Sequence, residues 1–225
     1  MAFSTDVRRI PLVQPAYRRL RRLFPGKPKK RFLDFASRHS NFSKRNDLVL
    51  KSLPPSPAWI LDVGSNLGDT SNFLAKRGYY VLGVESGKEE WLRAKQKCEA
   101  GAAFMNVSVS AEFLDSGRDW DAILLLSVLH RIYAFEGADT MKGVLTACSH
   151  RTQNIVIEGS TRHARYTDKG QGAPNFCDLN VQSAKEWHET IFESTLNKSW
   201  RVVSSERLTC SAAEPERLFF HLQSS

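Results

Sequence analysis

Apolar residues in this chain come in short runs, with longer stretches between them in which polar and apolar positions follow helical spacing. Trp59 to Val63 and Tyr80 to Val84 are five-residue apolar runs of the kind that suits strands buried on both faces of a parallel sheet. Between them, Phe73, Leu74 and Arg77 lie at helical spacing and Gly78 supplies a stop, which predicts a strand, a helix and a second strand. The same reading predicts a helix over Lys88 to Ala100, a strand over Ala102 to Val107 and a central strand from Trp120 to Leu129. It continues with a helix over Gly137 to His150, a strand over Asn154 to Glu158 and a helix over Ser183 to Leu196, opened by Ser183 and Glu186 in a capping-box arrangement. Two closing strands are predicted at Trp200 to Thr209 and Arg217 to Leu222. Strands alternating with helices and ending in a strand pair predict an α/β three-layer sandwich around a mostly parallel, seven-stranded, doubly wound sheet.

Upstream, Tyr17, Leu20, Leu23 and Phe24 share one helical face, with Arg18, Arg19, Arg21 and Arg22 on the other, and a further helix is predicted over 32 to 52. Pro54, Pro55 and Pro57 then mark a linker. This divides the chain into a basic helical extension, 1 to 52, and an α/β domain, 53 to 225.

The loop after the first run reads Asp62-Val-Gly64-Ser65-Asn66-Leu-Gly68. Its glycines are four apart, so it lacks the Gly-x-Gly-x-x-Gly turn that brings a dinucleotide pyrophosphate to a helix N-terminus. No Gly-Lys-Ser/Thr ending is present either, which argues against an ATP-binding P-loop. An acid, Glu85, ends the second strand 23 residues after Asp62. A carboxylate there accepts two hydroxyl hydrogen bonds at once, and a glycine turn leaves room for a bulky ligand.

This arrangement resembles the class I S-adenosylmethionine-dependent methyltransferase family, over roughly residues 45 to 225. The resemblance implies a Rossmann-like methyltransferase fold and S-adenosyl-L-methionine as cofactor. It makes Glu85 the ribose ligand and Gly64 and Gly68 the cofactor loop, with Asp62 holding that loop or the cofactor's amino group. Ser65, Asn66, Ser86 and Ser127 complete the cofactor side. The family usually carries an Asp after the third strand for the adenine amino group. Here Asn106 or Ser108 stands in that place, and the Asn106 side-chain amide offers an alternative contact.

The fourth strand runs into Ser127-Val-Leu-His130-Arg131-Ile-Tyr133, which in the family borders the methyl-transfer site. A hydroxyl attacking a sulfonium methyl must lose its proton, and an imidazole with a pKa near 6.5 is a suitable general base. His130 is therefore the candidate base, with Arg131 and Tyr133 beside the acceptor. For a phosphate acceptor, His130 and Arg131 would position its oxygens instead, and a histidine capping the next helix is the competing structural reading. Glu158, at the end of the fifth strand, is a second candidate catalytic carboxylate. Arg162, His163, Arg165 and Tyr166 lie in a long polar insertion suited to an anionic or sugar-rich acceptor.

Charge then separates the two parts of the chain. The formal net charge is +8, yet residues 1 to 51 hold 14 Lys and Arg against three acids, so the remainder is mildly acidic. A basic arm of this kind suits RNA, an anionic membrane surface, or simple solvation of a packed helix. Four cysteines, Cys98, Cys148, Cys177 and Cys210, lack metal-site spacing, and no His/Asp/Glu cluster at ligand spacing suggests a metal. With no apolar run of membrane-spanning length, the expectation is a cytoplasmic enzyme, peripheral to a membrane at most. The leading expectation is O-methylation of a sugar, phosphate or small hydroxylated metabolite by direct displacement. RNA methylation through the basic arm and a non-catalytic cofactor-binding scaffold are the alternatives, and the oligomeric state is undetermined.

Overall fold

The computed structural model describes residues 42–160, 181–208 and 217–225. The predicted arm helix around Tyr17 to Phe24 and the insertion carrying Arg162, His163, Arg165 and Tyr166 lie outside the described residues. So do Cys177 and Cys210.

In chain order the elements are α1 (Phe42–Lys51), β1 (Trp59–Val63), α2 (Asp69–Ala75), β2 (Tyr80–Val84), α3 (Lys88–Gln96), β3 (Ala102–Met105) and α4 (Ala111–Asp115). Then follow β4 (Ala122–Leu126), α5 (Leu129–Glu136), α6 (Ala138–Arg151), β5 (Asn154–Ser160), α7 (Val181–Thr195), β6 (Trp200–Leu208) and β7 (Arg217–Ser224). The seven strands form one sheet in the order β3-β2-β1-β4-β5-β7-β6. Neighbours from β3 through β5 are parallel, while β7 runs antiparallel to both β5 and β6. The order reverses between β1 and β4, the switch point at which open α/β sheets bind ligands beyond their carboxyl ends.

Side-chain alternation assigns the two faces. Leu61, Val63, Ile123, Leu125, Ile155, Ile157 and Phe220 pack with Ile132 of α5, Met141 and Leu145 of α6 and Phe192 of α7. Ile60, Leu124, Val156 and Phe219 pack instead with Leu48 and Val49 of α1 and Leu74 of α2. Each large apolar side chain fully buried in this way is worth roughly 1.5–3 kcal/mol. By the same period of two, Asp62 and Glu158 fall on the α1/α2 side of their strands.

β1 and β2 occupy the predicted spans. α3 stops at Gln96 and β3 at Met105, both short of expectation, while β5 continues two residues further, to Ser160. β4 is shorter at both ends than the apolar run from Trp120 to Leu129, because Ser127 adopts a left-handed φ of 61° and turns the chain into α5. α4 is an addition to the predicted elements, although its Ser110 cap is ordinary, accepting from the Phe113 amide at 3.1 Å. α7 already runs at Val181, so Ser183 stands inside the helix instead of capping it. Leu48 and Val49 of α1 pack into the core on the α2 face of the sheet, whereas the sequence pattern counts α1 with the extension before residue 53.

Candidate functional site

The first strand delivers Asp62 to its carboxyl end, and the residue is only 2 % exposed. Ser71 of α2 donates its hydroxyl to Asp62 Oδ2 at 2.6 Å. Burial raises the Asp62 carboxyl from 3.8 to about 6, opposed by the Ser71 bond and by the Arg45 guanidinium and helped by the nearby Glu85 charge.

The loop that follows is built to lie close to its neighbours. Gly64, Asn66 and Gly68 all have left-handed backbones, with φ of 68°, 52° and 73°. The Gly64 and Ser65 amides both donate to the Val84 carbonyl, at 2.8 and 3.0 Å, tying the loop to the end of β2. A Cβ on Gly64 would sit 2.6 Å from Val128 Cγ2, and one on Gly68 would sit 2.5 Å from the Phe104 ring. The buried Ser65 hydroxyl has no hydrogen-bond partner among the described residues.

Glu85 faces this loop from the end of β2. Its Oε2 accepts the Asn66 amide at 2.9 Å and its Oε1 accepts the Gly87 amide at 2.7 Å. The Ser86 hydroxyl reaches Oε1 only at 3.5 Å, and Ser86 is exposed. Each oxygen has two lone pairs, so the carboxylate keeps acceptor capacity on both after these two amide bonds.

Asn106, considered from sequence as an adenine contact, lies against the turn after β2. Its Nδ2 donates to the carbonyls of Glu85 at 2.7 Å and Ser86 at 3.1 Å, bracing the turn that carries the acid. Ser108 lies exposed in the following loop.

On the other side of the switch point, Ser127 and Glu158 meet. The Ser127 hydroxyl donates to Glu158 Oε1 at 2.5 Å, and the Ser127 amide to the Glu158 carbonyl at 3.0 Å. Glu158 is 4 % exposed and also lies 3.6 Å from Arg45 Nη1 and 3.8 Å from Arg217 Nε. Those two arginines are not singled out by the sequence pattern. Arg45 sits within a generally basic segment, and Arg217 reaches the site only because β7 is reversed, which sets its first residue opposite Ser160.

His130 is buried, at 3 % exposure, in the first turn of α5, and Arg131 beside it is exposed. Tyr133 is half-buried and packs edge-on against Trp187 of α7, with ring centroids 5.4 Å apart. The structure thus gathers Asp62, the glycine loop, Glu85 and Asn106 around one half of the switch point, and joins Ser127 to Glu158 in the other. Among the described residues, no group of three or more His, Cys, Asp or Glu side chains could hold a metal, and no helix is long and apolar enough to cross a membrane.

No family model matches the sequence, and no curated protein matches it. Solved structures do resemble the fold. The bifunctional kinase-methyltransferase WbdD superposes with a TM-score of 0.60 at 18 % identity, over 80 % of this chain and 39 % of that one. This chain therefore spans about two fifths of the length of WbdD. Magnesium protoporphyrin IX methyltransferase (ChlM) from Synechocystis PCC 6803, with bound S-adenosylmethionine, gives 0.61 at 14 % identity over the whole of both chains. The N-methyltransferase NodS from Bradyrhizobium japonicum WM9 gives 0.59 at 16 % identity, covering 81 % of this chain and 95 % of that one. With its strand order, its reversed penultimate strand and these likenesses, the chain has the class I S-adenosylmethionine-dependent methyltransferase fold.

Proposed function

We propose that this chain is an S-adenosylmethionine-dependent methyltransferase acting on an oxygen of a sugar, phosphate or small hydroxylated metabolite. The observation that carries the reading is Glu85. Its carboxylate is fixed at the end of β2 by two backbone amides and keeps lone pairs for two hydroxyls, opposite a left-handed glycine loop. The residues fit the donor further. Asp62 offers a buried anion for an ammonium, the unpartnered Ser65 hydroxyl a polar contact, and the two glycines a cradle that Cβ atoms would fill.

S-adenosylmethionine, when bound, supplies an electrophilic methyl on a sulfonium. The protein's own contribution is placement and proton handling. Glu85 accepts the ribose hydroxyls, and Asn106 keeps that acid's turn in position. Asp62 holds the amino group. His130, sheltered in the first turn of α5, would take the proton from the acceptor hydroxyl that receives the methyl the donor would supply. Glu158 acts as a positioning group, because Ser127 and two guanidiniums already engage it.

Titration calorimetry with S-adenosylhomocysteine tests the donor site. Wild type should bind it, and should lose about tenfold against the 2′-deoxy analogue, one hydrogen bond to a charged group. Glu85→Ala should abolish that preference. His130→Ala should keep the affinity and lose methyl transfer. A wild-type protein that ignores S-adenosylhomocysteine would end the proposal. An RNA acceptor gripped by the basic arm is the second reading, supported by the 14 basic residues among the first 51. It requires RNA retention that falls steeply with salt.

A further inference from the structure

The Arg45, Glu158 and Arg217 cluster does more than neutralise a buried acid. Each carboxylate oxygen of Glu158 faces one guanidinium, Arg45 from α1 and Arg217 from β7, at 3.6 and 3.8 Å, beyond hydrogen-bonding distance. Arg45 is steered from the opposite side, where its Nη2 donates to the Thr70 hydroxyl of α2 at 2.8 Å, and that hydroxyl in turn donates to Asn46 Oδ1 at 3.4 Å. Even so, Arg45 Nε and Arg217 Nη1 are both buried and have no hydrogen-bond partner among the described residues. A buried N–H without an acceptor costs about 1–3 kcal/mol, and more when it is part of a charged group, so two of them near one carboxylate favour an incoming oxygen anion.

The charges in this corner also leave room for one. Among the described residues, the anions facing Arg45 are Glu158 and, at longer range, Asp62. With the donor bound, Asp62 is matched to an ammonium. Among the described residues, Glu158 is then the one carboxylate shown paired with both guanidiniums, so the cluster carries more positive than negative charge there. Planar guanidinium forks match carboxylates and phosphates through paired N–H···O bonds. The pair lies beyond the carboxyl ends of β4 and β5, where Ser127 bonds Glu158 and His130 follows three residues later.

We propose that Arg45 and Arg217 together seat an anionic group, a carboxylate or a phosphate, carried by the methyl acceptor. This rests on the methyltransferase reading, and it narrows the acceptor from any hydroxylated molecule to an acidic one.

The test uses the full chain saturated with S-adenosylhomocysteine and titrated with inorganic phosphate and with acetate. Wild type should bind at least one of them. Arg217→Gln and Arg45→Gln should each weaken that binding by about tenfold or more, the loss of one charge-assisted contact. Arg217→Gln should leave S-adenosylhomocysteine affinity within about twofold. If a glutamine variant unfolds, Arg217→Lys and Arg45→Lys take its place. They keep the charge but lose the fork, and should bind the anion several-fold more weakly. Anion binding that is absent from wild type, or unchanged in the variants, overturns the seat. The donor's own α-carboxylate is the rival source. If Arg45→Gln weakens S-adenosylhomocysteine but not 5′-methylthioadenosine, which lacks that carboxylate, Arg45 serves the donor and the acceptor assignment falls. Failure of wild type to bind S-adenosylhomocysteine removes the methyltransferase reading instead, and phosphate titration of the free chain then reads the seat directly.

Discussion

Replacing Asp62 with Asn should stabilise the free protein at neutral and alkaline pH while weakening its hold on the donor. The carboxyl is 2 % exposed and is raised from 3.8 to about 6, chiefly by burial. A raised folded-state value means that the contribution is fully present below pH 4 and is lost as pH rises through 6. A tenfold change in an acid dissociation constant corresponds to about 1.4 kcal/mol, so at pH 8 the ionised group costs the fold about 3 kcal/mol relative to its acid limit. Asparagine carries no such cost, and its side-chain oxygen can still accept the Ser71 hydroxyl that now bonds Oδ2 at 2.6 Å. Thermal unfolding followed by circular dichroism should therefore show Asp62→Asn melting higher than wild type at pH 8. In a chain of this size the gap should be on the order of 6–12 °C, shrinking towards zero near pH 4. Donor-site binding should run the other way. Wild-type affinity for S-adenosylhomocysteine should fall about tenfold per pH unit below 6 and be flat above it, whereas the variant should be weak and flat throughout. A variant that melts lower than wild type at pH 8, or a gap that does not change with pH, would refute the reasoning.

Two further perturbations probe close packing. Gly64→Ala places a Cβ 2.6 Å from Val128 Cγ2 at a φ of 68°, so it should cost about 1–3 kcal/mol in thermal or urea unfolding and weaken S-adenosylhomocysteine. Adding Val128→Ala should recover the steric part of the loss but not the backbone part. Gly159→Ala drives a Cβ into the imidazole of His188, which cannot easily yield. That ring's Nδ1 is 2.7 Å from the Ala184 carbonyl and its face stacks on Phe220 at 5.4 Å. A melting temperature unchanged by Gly159→Ala would show that α7 moves more freely than this packing implies; a loss of about 1–3 kcal/mol is expected.

Much of the β1–β2 half of the candidate site was legible in the sequence because it is local. β1 and β2 are short apolar runs bounded by turns, and the glycine loop and Glu85 lie within 24 residues of one another. Where chain segments run together, legibility failed. The apolar residues continue from β4 into α5 without a break, and only the left-handed backbone at Ser127 divides them. Composition misled at α1. Its lysines and arginines look like part of the basic arm, yet Asn46, Leu48 and Val49 are buried and two of them complete a core cluster. The Arg45, Glu158 and Arg217 grouping could not be read at all. Its members are distant in sequence, and only a reversed β7 and a helix placed ahead of β1 bring them together.

The two amide bonds to Glu85 bind the fate of one loop to the other. One oxygen anchors residue 66 of the glycine turn and the other anchors residue 87 at the entrance to α3, so the side chain works as a rivet between them. Glutamine, though nearly the same shape, would have to present its NH2 group to one of those N–H donors and would unfasten that side. With Glu85 in the ribose role proposed for it, loop order and the choice of nucleoside are not separable traits. A variant cannot relax the second without loosening the first.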